Sequence, residues 1–63
     1  MITPLKFYRL NQGIRLGDLA IRAGVSSSLV SKIESGEIMG SSKTRAKIAE
    51  VLGVSERNLF GGK

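Results

Sequence analysis

Sixty-three residues form one small domain, 1–63, with no room for a second. Ten Lys and Arg against five Asp and Glu leave a net charge of +5, and 41% of the residues are apolar, enough for a modest packed core. The chain has no Cys and no His, which removes disulfides, zinc ribbons, imidazole acid–base chemistry and thiol or Ser–His nucleophiles together, so no metal, no cofactor and no enzymatic activity are expected.

Thr3 followed by Pro4 reads as a helix cap with proline at the first helical position, and Leu5, Tyr8 or Arg9, and Leu10 recur at helical spacing. The first helix is predicted over Pro4 to Asn11, stopped by Gly13. Leu16, Leu19, Ala20 and Ala23 then fall at i, i+3, i+4 and i+7, the stripe of a helix buried along one face, which ends at Gly24. Ser26 is placed to cap a third helix, about Ser27 to Ser35, whose apolar positions are Val30 and Ile33. Glu37 to Ser42 is a Gly- and Ser-rich loop with Ile38 and Met39 as its apolar anchors. A fourth helix carries Ala46, Ile48, Ala49 and Leu52 up to Gly53, and Ser55 caps a short fifth helix ending in Leu59 and Phe60. No strand signal or internal repeat interrupts the pattern. The expected fold is all-α, a bundle of five short helices.

No apolar run approaches the roughly 20 residues of a membrane span, and the N-terminus lacks a signal-peptide core, so no membrane association and a cytoplasmic location are expected, nucleoid-associated in a prokaryote or phage. The positive balance favours an anionic partner, nucleic acid being the commonest, although it equally suits a solvated surface.

The central segment LGDLAIRAGVSSSLVSKIESG has the spacing that a tight turn between two crossed helices needs. A small residue at Ala20 lets the third helix pass close over the second, Gly24 ends the second abruptly in the left-handed conformation, and Val25, Val30 and Ile33 turn inward to lock the crossing. This is a helix-turn-helix, about residues 16–35. With AGVSSSLVSKIESGE as turn and third helix and KIAEVLGVSERNLF as fourth and fifth, nearly the whole chain resembles the phage-repressor and Cro type of helix-turn-helix family, also called the xenobiotic-response-element type.

The resemblance implies sequence-specific binding of double-stranded DNA, the third helix lying in the major groove. The outward face of that helix is Ser27, Ser28, Ser31 and Lys32. Small hydroxyls let a helix sit deep in a groove, and a lysine one turn on reaches guanine O6 and N7, which makes these four the candidate base contacts, Lys32 first. Read alone, the serines only start a helix and Lys32 is a solvated charge. Arg15, Ser26, Ser41, Ser42 and Lys43 stand at or near helix starts and are candidate phosphate contacts, with capping and solvation as the plainer reading. Arg22, Lys47, Arg57 and Lys63 are read as ordinary surface charges. Arg9 and Glu34 match a family pair that ties the first helix to the end of the third, so their implied role is a structural ion pair.

The chain departs from the family's pattern in three places. Arg15, Leu16, Gly17 and Asp18 replace the usual Thr-Gln-Glu-Glu, removing both a cap and a DNA contact at the start of the second helix. Ser42 and Arg45 stand where apolar residues are usual, with Ile38 and Met39 available to fill the gap. Glu37 sits beside the DNA-facing loop, where its charge would repel phosphate.

The resulting expectation is a transcriptional regulator, a repressor, acting as a homodimer on a two-fold operator. Leu59 and Phe60 with the turn at Val54 are candidates for the dimer surface, and Leu59 fits closure of the monomer core equally well. A second reading is a protein-interaction module of the same fold, antitoxin- or coactivator-like; Leu29, read as exposed near the outer edge of the third helix, would contact either a protein partner or a thymine methyl.

Overall fold

A computed structural model describes residues 2–61. Its five helices are α1 (Pro4–Asn11), α2 (Leu16–Ala23), α3 (Ser27–Glu34), α4 (Ser42–Leu52) and α5 (Glu56–Phe60), with no strand among the described residues. Four of them begin in the same way. Thr3, Ser26, Ser41 and Ser55 hold extended backbone, and each side-chain oxygen accepts from the amide three residues on, at Lys6, Leu29, Thr44 and Asn58, over 3.1–3.3 Å. Each cap satisfies a donor the helix itself cannot use and is worth about 1 kcal/mol. Arg15 holds nearly the same backbone before α2 without any side-chain cap.

α2 lies at the centre, packed on α3 and α4, while α5 closes against α1 and α4. The core is Leu5, Leu19, Ala20, Ala23, Val30, Ile33, Ile48, Ala49, Leu52 and Leu59. Gly24, at φ +71°, turns the chain from α2 into α3, a conformation a β-carbon would disfavour, and the following amide of Val25 bonds Ala20 O at 3.0 Å. Half-buried Val25 then packs against the core beside the crossing that Ala20 permits.

Several apolar positions of the sequence pattern do not join this core. Leu10 is 52% exposed, because Leu5 and Arg9, four residues apart, already define the inner stripe of α1. Ala46 is exposed, since Ile48, Ala49 and Leu52 set the inner face of α4. Ile38 and Met39 do not plug the gap beside α4 either, being 39% and 63% exposed. Arg45 itself is half-buried there, and its Nη1 donates to Gly40 O at 2.7 Å. Ser35 is the cap that ends α3 rather than its last helical residue.

Two polar ties join elements distant in sequence. Gln12 Nε2 donates to Leu52 O at 2.7 Å, coupling the end of α1 to the end of α4. The other is the Arg9–Glu34 ion pair, both residues less than 10% exposed. Arg9 Nε and Nη2 donate to the two Glu34 carboxylate oxygens at 2.5 and 3.0 Å, and Nη1 donates to Ile14 O at 2.9 Å. Thr3 Oγ1 donates to Glu34 O at 2.5 Å, so α1 holds the end of α3 through both side chain and backbone. The hydrogen bond to Glu34 raises the Arg9 pKa above its ordinary value, burial opposing and the carboxylate charge adding to the effect. No buried side-chain polar atom among the described residues lacks a partner.

Candidate nucleic-acid interface

α3 turns Val30, Ile33 and Glu34 inward and leaves Ser27, Ser28, Ser31 and Lys32 exposed. The division follows from helical periodicity, with the inward residues at i, i+3 and i+4. Ser27, Ser28, Ser31 and Lys32 meet on one open concavity of about 410 Å³, completed by Leu16 from the start of α2 and Glu37 from the loop after α3. All four candidate base contacts therefore share one surface. Three hydroxyls supply rotatable donors and acceptors, and Lys32 supplies the concavity's positive charge. Short side chains keep the helix backbone near whatever fills it.

The candidate phosphate contacts are distributed differently. Arg15 is exposed at the uncapped start of α2, next in sequence to Leu16 in the concavity. Ser26 is occupied as a cap by the Leu29 amide, although its hydroxyl proton is free to donate outward. Ser41 is more fully used: Oγ accepts from the Thr44 amide and donates to Thr44 Oγ1 at 3.0 Å. Ser42 and Lys43, in the first turn of α4, are exposed. Lys43 and Lys47 share a second concavity with Ala23, Gly24 and Val25, which puts both beside the turn between α2 and α3. Lys47 also pairs with Glu50 at 3.3 Å, an exposed contact of little energetic weight.

Sequence patterning missed Lys6 and placed Glu37 only beside this face. Lys6 on α1 shares a polar cleft with Ser31 of α3 and with Ser35, the cap that follows it, a neighbourhood created by the Arg9 and Thr3 ties and invisible in linear spacing. Glu37 lies inside the α3 concavity itself and not merely beside it. Leu29, by contrast, is half-buried and packs against the core, so it does not offer the exposed apolar contact expected of it. Leu59 is 2% exposed and belongs to the monomer core. Phe60 is half-buried and lines an apolar groove of about 280 Å³ with Ile38 and Met39.

A family model described as a helix-turn-helix domain matches residues 4–59, all five helices but the last residue of α5. The chain belongs to the helix-turn-helix domain family, of the Cro/C1 type. Neither a curated protein nor a solved structure matches it. Membership accounts for the observed architecture: a buried α2–α3 crossing with a polar outer face on α3 is how this domain presents a helix to double-stranded DNA. In this helix-turn-helix domain no helix among the described residues is long and apolar enough to cross a membrane, and those residues hold no cluster of metal-ligating side chains.

Proposed function

We propose that this helix-turn-helix protein is a sequence-specific transcriptional repressor that binds a two-fold operator as a homodimer, inserting α3 into the major groove. The observation that carries the reading is the concavity on α3, where Ser27, Ser28, Ser31 and Lys32 converge while the rest of the helix is committed to the core. Lys32 donates to guanine O6 and N7, and the serines bond base edges or the flanking backbone. Arg15, Ser42 and Lys43 contact phosphates, with Ser26 and Ser41 supporting them chiefly as caps. One recognition helix reads only a few base pairs, so useful discrimination calls for two half-sites about 34–36 Å apart. With Leu59 taken up by the core, Phe60 and the neighbouring Ile38 and Met39 are the surface of choice for the dimer contact. A cytoplasmic, DNA-associated location follows from this role.

The test is selection of bound duplexes from a random library at near-physiological salt, with the oligomeric state measured in parallel. An enriched inverted repeat with half-sites one helical turn apart is the expected result. Binding that is uniformly salt-sensitive with no enriched sequence would overturn the reading and favour the alternative of a protein-interaction module.

A further inference from the structure

Five acidic residues serve this chain, and four have a structural use. Glu34 is bonded to Arg9, Glu50 pairs with Lys47, and Asp18 and Glu56 lie in the first turns of α2 and α5, where negative charge complements the helix dipole. Glu37 has no such use. It is exposed, forms no ion pair among the described residues, and follows the C-terminal end of α3, where the dipole disfavours a carboxylate. In a surface that meets phosphate it also repels the ligand.

Its position is nevertheless fixed. Gly36, at φ +83°, reverses the chain after α3, and the amides of Glu37 and Ile38 both donate to Lys32 O, at 2.9 and 3.3 Å. Ser35 Oγ donates to the same carbonyl at 3.1 Å. The first residues of the loop are thereby held on the recognition helix, and Glu37 joins Ser27, Ser28, Ser31 and Lys32 in lining the concavity. That surface consequently contains a donor-only cation, Lys32, and an acceptor-only anion, Glu37, among neutral hydroxyls. In the major groove a carboxylate finds its complement in the 4-amino group of cytosine, as a lysine does in guanine O6 and N7.

We propose that Glu37 is a specificity-determining residue that accepts a hydrogen bond from a cytosine 4-amino group in the operator. The proposal rests on the DNA-reading role of α3 argued above. Glu37 excludes phosphate-only docking by repulsion and rewards a correctly placed cytosine, so it trades general affinity for discrimination.

The experiment has two stages. Duplex selection with the full chain and with Glu37→Ala should show one cytosine per half-site losing preference by about tenfold in the variant, while affinity for unrelated duplex rises. The exposed side chain makes no bond that folding depends on and sits where the α3 dipole disfavours it, so the melting temperature of the variant should equal or slightly exceed the parent's. A cycle then replaces that cytosine by a 2-pyrimidinone nucleotide lacking the 4-amino group. The deletion should weaken the parent about tenfold and Glu37→Ala hardly at all. Equal losses on both proteins, or a selection profile unchanged by the variant, overturn the assignment of Glu37 alone. A parent protein that enriches no sequence overturns the DNA-reading role, and this assignment with it.

Discussion

The two sides of α3 differ in how completely the chain has satisfied them. Inward, Val30 is fully buried, Ile33 nearly so, and Glu34 receives two bonds from the Arg9 guanidinium and a third, at its carbonyl, from Thr3. Outward, the Ser27, Ser28 and Ser31 hydroxyls and the Lys32 ammonium have no hydrogen-bond partner in the protein among the described residues. One helix thus carries a closed set of interactions on one side and an open set on the other. The closed side determines the angle at which the open side is held, so substitutions on the two sides should separate into effects on stability and effects on binding.

The largest effect belongs to the closed side. Arg9→Ala leaves the Glu34 carboxylate buried without its partner, and denaturant unfolding should show a loss of about 3–5 kcal/mol. Replacing both members, as Arg9→Met with Glu34→Leu, should recover most of that loss, because the cost lies in the orphaned charge and not in the absence of the pair. If Arg9→Ala unfolds at the parent's denaturant concentration, the seam between α1 and α3 does not govern stability and the two sides are less distinct than the geometry indicates.

Lys32→Ala tests the open side. Specific affinity should fall by about 1–3 kcal/mol with preference relaxed at one base position, and the unfolding curve should stay in place. Equal weakening on every duplex would reassign Lys32 to phosphate. The separation also predicts that Arg9→Ala, under conditions where it is folded, changes the salt slope of binding little.

Much of the closed side was legible in the sequence because it repeats. The stripe Leu16, Leu19, Ala20, Ala23, the serine caps and the glycine stops each obey a local rule, and the helices they predicted over Pro4–Asn11 and before Gly24 and Gly53 stand in the structure. Local rules misled where a residue satisfied the period but the helix had a narrower buried face, as at Leu10 and Ala46, or where a polar side chain did an apolar one's job. Arg45 is the clearest case, its guanidinium bonding Gly40 O where an aliphatic residue was expected. The outward face of α3 could be placed by periodicity alone. Its neighbours were less legible: Lys6 approaches through a tertiary tie, Thr3 to Glu34, that leaves no trace in spacing, whereas Glu37 is brought onto the concavity by the local turn at Gly36, where the Glu37 and Ile38 amides bond Lys32 O.

The starts of α2 and α3 sharpen the contrast with the smallest change. Arg15 and Ser26 hold almost the same backbone, φ −76° and ψ 153° against φ −77° and ψ 152°, yet only Ser26 caps its helix. A serine at Arg15 would fit that backbone and could accept from the Asp18 amide, so the chain forgoes about 1 kcal/mol there. The uncapped amides and the guanidinium are together suited to a phosphate oxygen, which would satisfy from outside the donors that Ser26 satisfies from within on α3. Arg15→Ser should therefore raise the melting temperature by roughly 4–8 °C. On DNA the same variant should bind more weakly at every sequence, with the magnitude of the salt slope reduced by about one. Greater stability with undiminished binding would mean that Arg15 meets only water, and that the missing cap serves no ligand.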